Sequence, residues 1–306
     1  MKVGCLVESE FNNVGNSIIL SDGRKLGYVV RGTTRENTIL YFHGWPCSRL
    51  ELLQTESFTS YDGVRIISVD RPGIGLSDFQ KGRTVLTFVQ DILELADYFG
   101  LEKFSIIGYS GGAPYAYACS YRIPERLNSV GIISGIGPYY ILKHFSSWTE
   151  RLTLSLGRAI PSLIRKQLDS LYAQPFESDD QEESKKQMLD RWMSSLPDAD
   201  KEILNQSGVF DSVWTQIRES FTNGVEGATL DGILLLQNWG FKLSEIPAGV
   251  KITLWHGESD MNVPVGISQV VAREITHCTL HCYSEDGHFS LMLKNIDEII
   301  KTLLCP

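Results

Sequence analysis

An apolar, β-prone run from Phe104 to Ile107 leads into Gly108-Tyr109-Ser110-Gly111-Gly112, and a helix-compatible segment follows from Ala113 to Tyr121. No other stretch restricts the chain so strongly. A Gly-x-Ser-x-Gly turn that joins a strand directly to a helix forces its serine into a strained backbone angle and pushes the hydroxyl past the carboxyl edge of a sheet. Flanking residues without bulky side chains let strand and helix cross closely. The N–H after the serine then falls near a helix start, where it faces developing negative charge.

The surrounding pattern supplies the sheet that such a turn needs. Ser17 to Leu20 and Leu26 to Val30 are β-prone runs around Ser21-Asp22-Gly23-Arg24, which predicts a hairpin, and residues 1 to 16 read as a polar arm. Thr38 to Phe42, Val64 to Val69, Leu127 to Ser134, Lys251 to Trp255 and Thr279 to Tyr283 are further strands. Helical spacing predicts helices over Arg49 to Ser57, Val85 to Phe99, Val265 to Glu274 and Ile296 to Leu304. Buried-type strands alternating with helices mark a parallel sheet covered on both faces. The rhythm breaks between about 138 and 246. Helical pieces are expected there at Leu152–Leu156, Leu163–Leu171, Lys185–Met193, Ile203–Phe210 and Val213–Phe221, with no convincing strand.

The totals narrow the function. A chain of 306 residues with 42% apolar content builds one large core or a core with an insertion. A net charge of −9 without a dense basic stripe argues against nucleic acid or an anionic membrane surface as the main partner. No leader and no run of transmembrane length is visible, so a reduced, cytoplasmic setting is expected, with the six cysteines as free thiols. Cys278 and Cys282, on one face of a strand, are expected to be buried.

A serine hydroxyl becomes a nucleophile when a base takes its proton. His288, in Glu285-Asp286-Gly287-His288-Phe289, is expected in a loop after the last strand, free to approach Ser110. Asp260 is the chosen carboxylate behind it, with Glu258 and Asp286 as rivals. His43 and His256 each follow a strand and precede a glycine, which suggests loop organisers. The oxyanion of acyl transfer needs two donors: the Gly111 N–H and, from the loop after the third strand, the Trp45 N–H, with Gly44 allowing a tight fold. Asp70 and Arg71 are expected to hold together the Gly-rich loop that runs to Ser77. That loop has no dinucleotide or P-loop fingerprint, no metal-ligand spacing appears, and neither a cofactor nor a metal is expected.

His43-Gly44-Trp45-Pro46, Asp70-Arg71-Pro72-Gly73-Ile74-Gly75-Leu76-Ser77, Gly108-Tyr109-Ser110-Gly111-Gly112, and Asp260 with Gly287-His288 together resemble the α/β-hydrolase superfamily, over nearly the whole chain. The resemblance implies an eight-stranded, mostly parallel sheet formed by residues 1–137 and 247–306. It makes 138–246 a helical cap inserted after the sixth strand. It also implies a Ser110–Asp260–His288 triad with Trp45 and Gly111 as oxyanion amides. Within the superfamily the chain is similar to capped esterases and proline iminopeptidases. The latter usually carry Trp after the serine, where this chain has Gly111. The leading expectation is a serine hydrolase for a small, fairly apolar carboxylic ester, with Tyr109, Tyr139, Tyr140, Trp148, Trp192 and Trp239 as candidate pocket aromatics. Amide or N-terminal peptide hydrolysis is the enzymatic alternative and would use a carboxylate such as Glu226 or Asp231 to pair the substrate's amino group. A ligand-binding protein on the same scaffold is the non-enzymatic one. The partner expected is a small molecule, and the oligomeric state is left open.

Overall fold

The computed structural model describes residues 15–32, 34, 37–54 and 63–305. Most of the expected N-terminal arm, Cys5, and the end of the segment running to Ser57 lie outside them. Eight strands form one sheet in the order β1-β2-β4-β3-β5-β6-β7-β8. They are β1 (Asn16–Ile19), β2 (Lys25–Arg31), β3 (Thr38–Phe42), β4 (Arg65–Val69), β5 (Phe104–Tyr109), β6 (Leu127–Ile133), β7 (Lys251–Gly257) and β8 (Cys278–Tyr283). β2 runs antiparallel to β1 and β4, and every other pairing is parallel.

The strands read as unbroken apolar runs because both faces are covered. Alternation is still visible in where each side chain goes. Leu40, Phe42, Ile106 and Ile132 face a core built with α1 (Phe88–Tyr98) and α2 (Ala113–Arg122). Ile39, Tyr41, Ile107, Tyr109 and Ile133 face the other way, onto Leu291, Met292 and Ile296. β8, at the edge, is less covered: Cys278 is half-buried and Cys282 exposed, contrary to the expectation that both are buried.

Between β6 and β7 lie eight helices: α3 (Tyr139–Phe145), α4 (Trp148–Ala159), α5 (Pro161–Leu168), α6 (Gln174–Glu177), α7 (Gln181–Met193), α8 (Asp198–Leu204), α9 (Val209–Ser220) and α10 (Glu226–Leu236). A π-helical stretch, Asp169–Ala173, joins α5 to α6. The expected helix at Ile203–Phe210 is instead the end of α8, a turn, and the start of α9, broken where Gly208 takes φ 79°. α10 escaped the sequence reading because it is buried on all sides, nine of its residues being covered, and shows no periodic stripe. α11 (Val265–Glu274) and α12 (His288–Leu304) complete the fold. Among the described residues no helix is long and apolar enough to cross a membrane.

The glycines on either side of Ser110 are required by space. A Cβ on Gly112 would lie 2.1 Å from the Phe42 carbonyl oxygen, and one on Gly108 would lie 2.9 Å from Ala116 Cβ. The start of α2 is therefore pressed onto the end of β3. Gly112→Ala is expected to destabilise the fold by about 3 kcal/mol or more, read by urea unfolding. Gly249→Ala, where nothing lies within 4 Å, should stay within about 0.5 kcal/mol of wild type.

Candidate active site

Ser110 stands directly beyond β5 with φ 49°, a left-handed angle that a serine seldom adopts and that costs about 1–3 kcal/mol. The surroundings hold it there. Its carbonyl accepts from the Ile136 N–H at 3.1 Å, and Ser110–Gly112 form a 3-10 turn leading into α2. Ser110 is half-buried, and its hydroxyl makes no hydrogen bond within the protein among the described residues.

Asp260 arrives from the loop after β7, and His288 from the start of the helix that follows β8. His288 Nδ1 donates to Asp260 Oδ2 at 2.7 Å. Asp260 Oδ1 accepts from the N–H groups of Asn262 and Val263, both at 2.8 Å, so this carboxylate is fixed at both oxygens. Burial alone would raise the Asp260 pKa, but the facing His288 and His256 outweigh it and hold the carboxyl well below the usual range. Burial pulls the His288 pKa down, the Asp260 charge overcomes that, and the net shift is upward. Of the rival carboxylates, Asp286 bonds Lys294 and Asn295, and Glu258 is exposed.

One expectation needs correction. His288 is not in a loop; it is the first residue of α12. The helix points the imidazole at the sheet end because β5 sends Tyr109 to the α12 face. The two rings lie 5.1 Å apart, and the Tyr109 hydroxyl donates to the His288 carbonyl at 3.2 Å. Tyr109 thus backs the residue next to the Ser110 turn onto the imidazole.

The loop after β3 lies against the same turn. A Cβ on Gly111 would come 3.1 Å from the Trp45 backbone nitrogen, and one on Gly44 would come 3.5 Å from Ser110 Cβ. The predicted oxyanion amides therefore belong to adjoining backbone. Glu51, which the sequence reading overlooked, holds this loop from beneath. Its Oε2 accepts from the Gly44 N–H at 2.8 Å and the Tyr41 hydroxyl at 2.9 Å, and burial pushes its pKa up.

His43 is fully buried. Its Nδ1 donates to the Gly44 carbonyl at 2.8 Å and its Nε2 accepts from the Arg71 N–H at 3.4 Å, a pairing that requires the neutral ring. Burial, with Arg71 nearby, lowers its pKa well below the ordinary value to match. His256 is similarly engaged, between Ser268 Oγ and the Val263 carbonyl, both at 2.7 Å.

Asp70 and Arg71 point apart, as adjacent residues leaving a strand do, and each bonds different groups. Asp70 accepts from Arg49 Nη1 at 2.7 Å and from the Leu76 N–H at 2.9 Å. Arg71 reaches the His43 and Gly44 carbonyls at 2.5 and 2.8 Å and Asp231 of α10 at 2.6 Å. Arg83 and the Tyr115 hydroxyl complete the shell around Asp231. Despite complete burial, which works the other way, these two arginines hold the Asp231 carboxyl far below its ordinary pKa.

The predicted pocket aromatics divide. Trp192 stacks on Phe289, next to His288, at 5.5 Å. Tyr140 is exposed and donates to Glu274, and Trp239 sits in the sheet core on Tyr117; neither lines the site. Tyr139 bonds Ser155 under the Arg158 guanidinium. The Trp148 side chain lies outside the described residues. Trp45, expected to supply its amide and a wall of the pocket or of the core, inserts its indole between the insertion helices, where Nε1 donates to the Ala228 carbonyl at 2.7 Å.

A family description, alpha/beta hydrolase fold, matches residues 37–295. The chain belongs to that family. Among curated alpha/beta hydrolase relatives, the bifunctional esterase/perhydrolase DCH of Acinetobacter calcoaceticus is 23% identical over 84% of this chain and 87% of its own. An uncharacterized hydrolase, YcgS of Bacillus subtilis, is 25% identical over 48% of this chain. YcgS and two further relatives are matched over only 42% to 55% of their length. Among solved structures, an esterase from Exiguobacterium antarcticum superposes with a TM-score of 0.66 at 18% identity, covering 95% of this chain and 98% of that one.

Because the folded pKa of Asp231 is depressed, its stabilisation is present above the ordinary carboxylate pKa of about 3.9 and is lost as pH falls below it. Asp231→Asn is expected to cost about 3 kcal/mol at pH 7. Its stability should fall less than that of wild type between neutral and acid pH, both measured by urea unfolding across pH.

Proposed function

We propose that this alpha/beta hydrolase is a serine hydrolase that cleaves small, fairly apolar carboxylic esters through an acyl-enzyme. The observation that carries the reading is the conjunction of a left-handed Ser110 at the end of β5 with a buried Asp260–His288 pair across the same edge. His288 Nε2 takes the Ser110 proton as Oγ bonds to the ester carbonyl carbon. The Gly111 and Trp45 N–H groups hold the oxyanion, and the carbonyl re-forms as the alcohol leaves with the proton from His288. Water, deprotonated by the same imidazole, then adds to the acyl carbon; Ser110 regains its proton and the carboxylic acid departs. Asp260 stays ionised throughout and fixes the Nδ1–H tautomer. The His288–Oγ hydrogen bond forms when substrate excludes water, as catalytic pairs that are apart in the free enzyme commonly tighten in the substrate complex.

Residues 138–246 serve as the cap over this site. Three contacts support that reading: Trp45 to Ala228, Arg71 to Asp231, and Trp192 on Phe289. The cap cluster against which Trp45, Cys47, Trp192 and Phe289 pack is apolar, which favours an uncharged acyl group. Hydrolysis of N-terminal peptides is disfavoured because its two candidate carboxylates are engaged. Asp231 is saturated by Arg71, Arg83 and Tyr115, and Glu226 pairs with Arg165 on the surface. The Acinetobacter relative, named an esterase/perhydrolase, agrees with ester chemistry.

Turnover of p-nitrophenyl acetate is expected in wild type and absent in Ser110→Ala, with a fluorophosphonate labelling Ser110 alone. Asp260→Asn should lower kcat about 10^3- to 10^4-fold. Since the neutral imidazole is the base and its pKa is raised, kcat/KM should rise with pH around a midpoint above about 6.5. Folded wild-type protein that neither turns over esters nor reacts with the fluorophosphonate would end this reading.

A further inference from the structure

The His288 helix begins under a carboxylate that belongs to the insertion. Asp200, on α8, is fully buried and lies against the first turn of α12. Its Oδ2 accepts from the His288 N–H at 2.9 Å. Its Oδ1 accepts from the N–H groups of Phe289 and Ser290 at 3.1 and 2.8 Å, and from the Ser290 hydroxyl at 2.7 Å. The Ser290 Oγ in turn accepts from the Gly287 N–H at 2.7 Å.

The first three N–H groups of a helix have no partner within it, and a negative charge at that end is favoured by the aligned peptide dipoles. Helices usually satisfy these donors from the residue just before them. Here that residue is Gly287, which has no side chain, and the role passes to a carboxylate 88 positions earlier. The exchange is forced by space: a Cβ on Gly287 would lie 2.5 Å from Asp200 Oδ2. The glycine beside His288 thus makes room for the insertion's carboxylate. Trp192, just upstream of α8, stacks on Phe289 and grips the same turn from a second side.

Resting on the serine-hydrolase reading of His288, we propose that Asp200 is a positioning residue for the base, a carboxylate in the cap that fixes the backbone from which the imidazole projects. The Asp260 bond alone leaves the ring free to pivot about Nδ1. Locking the His288 N–H and the two that follow sets where the Cα–Cβ bond starts, and so where Nε2 ends. Base placement is then tied to the seating of the cap at α8, and any cap movement that admits substrate has to leave this corner docked. The charged groups around the imidazole are Asp260 from the loop after β7, Asp200 from α8 and Glu51 from the 3-10 helix after β3. Removing the Asp200 charge takes away one of the three that favour the protonated ring.

The test compares wild type with Asp200→Asn, which keeps the shape and loses the charge. Asp200→Asn is expected to lower kcat for p-nitrophenyl acetate about 10- to 100-fold with KM little changed. The acid limb of its kcat/KM profile should move down by about half a pH unit. The low-field proton resonance of His288 Nδ1–H should shift or broaden, and this readout does not depend on turnover. Loss of stability with the pH limb and the resonance both unmoved would overturn the proposal and leave Asp200 a helix cap only. If Asp200→Asn does not fold, Ser290→Ala removes one donor and leaves the carboxylate; a moved resonance then supports the positioning role and an unmoved one overturns it. Wild type that keeps the resonance but lacks all ester turnover would instead count against the serine-hydrolase reading.

Discussion

The close crossing of β5, β3 and the start of α2 is the constraint on which the rest depends. With only 2.1 Å between a would-be Gly112 Cβ and the Phe42 oxygen, strand end and helix start meet with no room for a side chain between them. The chain must turn from β5 into α2 within a few residues, and a left-handed Ser110 is the way it does so. The strain is held by long-range pairing on both sides, β3 in parallel with β5 and β5 with β6. The same contact brings the Gly44–Trp45 backbone beside Gly111, so the serine turn and the loop after β3 are consequences of one packing decision.

Around that turn, buried charge does most of the positioning. Glu51 sits under Gly44, Arg71 spans the His43 and Gly44 carbonyls, Asp260 orients His288, and Asp200 caps its helix. Each carboxylate accepts at least two hydrogen bonds, and several of these come from backbone N–H groups. Unpaired, any of them would carry a large desolvation cost. Paired, they fix loops that have few apolar contacts of their own. Two of the links, Arg71–Asp231 and Asp200–His288, run from the insertion to the sheet, so the helical layer and the site are held by polar contacts as well as by Trp45.

The parts of this arrangement that were readable in advance share a property: their signal is local. The Ser110 turn is written as glycines on either side of one serine, because the close crossing is between elements adjacent in sequence. α11 was read at its observed bounds from periodicity and the proline before it. Asp260 is preferred because it lies in the loop after the penultimate strand, ahead of Pro264, whereas Asp286 is only two residues from His288. Other features carried no local mark. Asp70 and Arg71 read as organisers of their own loop, but nothing adjacent to them marks their distant partners, Arg49 and Asp231. Trp239 looked like any cap aromatic but packs on Tyr117 in the sheet core.

The amino-acid sequence by itself determined the alternation of buried strands with helices and the residues from which chemistry could be argued, since periodicity and glycine spacing are properties of neighbours along the chain. Its resemblance to the α/β hydrolases implied the eight-stranded sheet. Only the tertiary structure decided that His288 opens a helix, that Glu51 braces the loop after β3, and that Asp200 reaches into the site from the insertion. The reason is physical. A buried carboxylate is placed by the donors it meets in space, and those of Asp200 lie 88 to 90 residues away, beyond the reach of any pattern of adjacent residues.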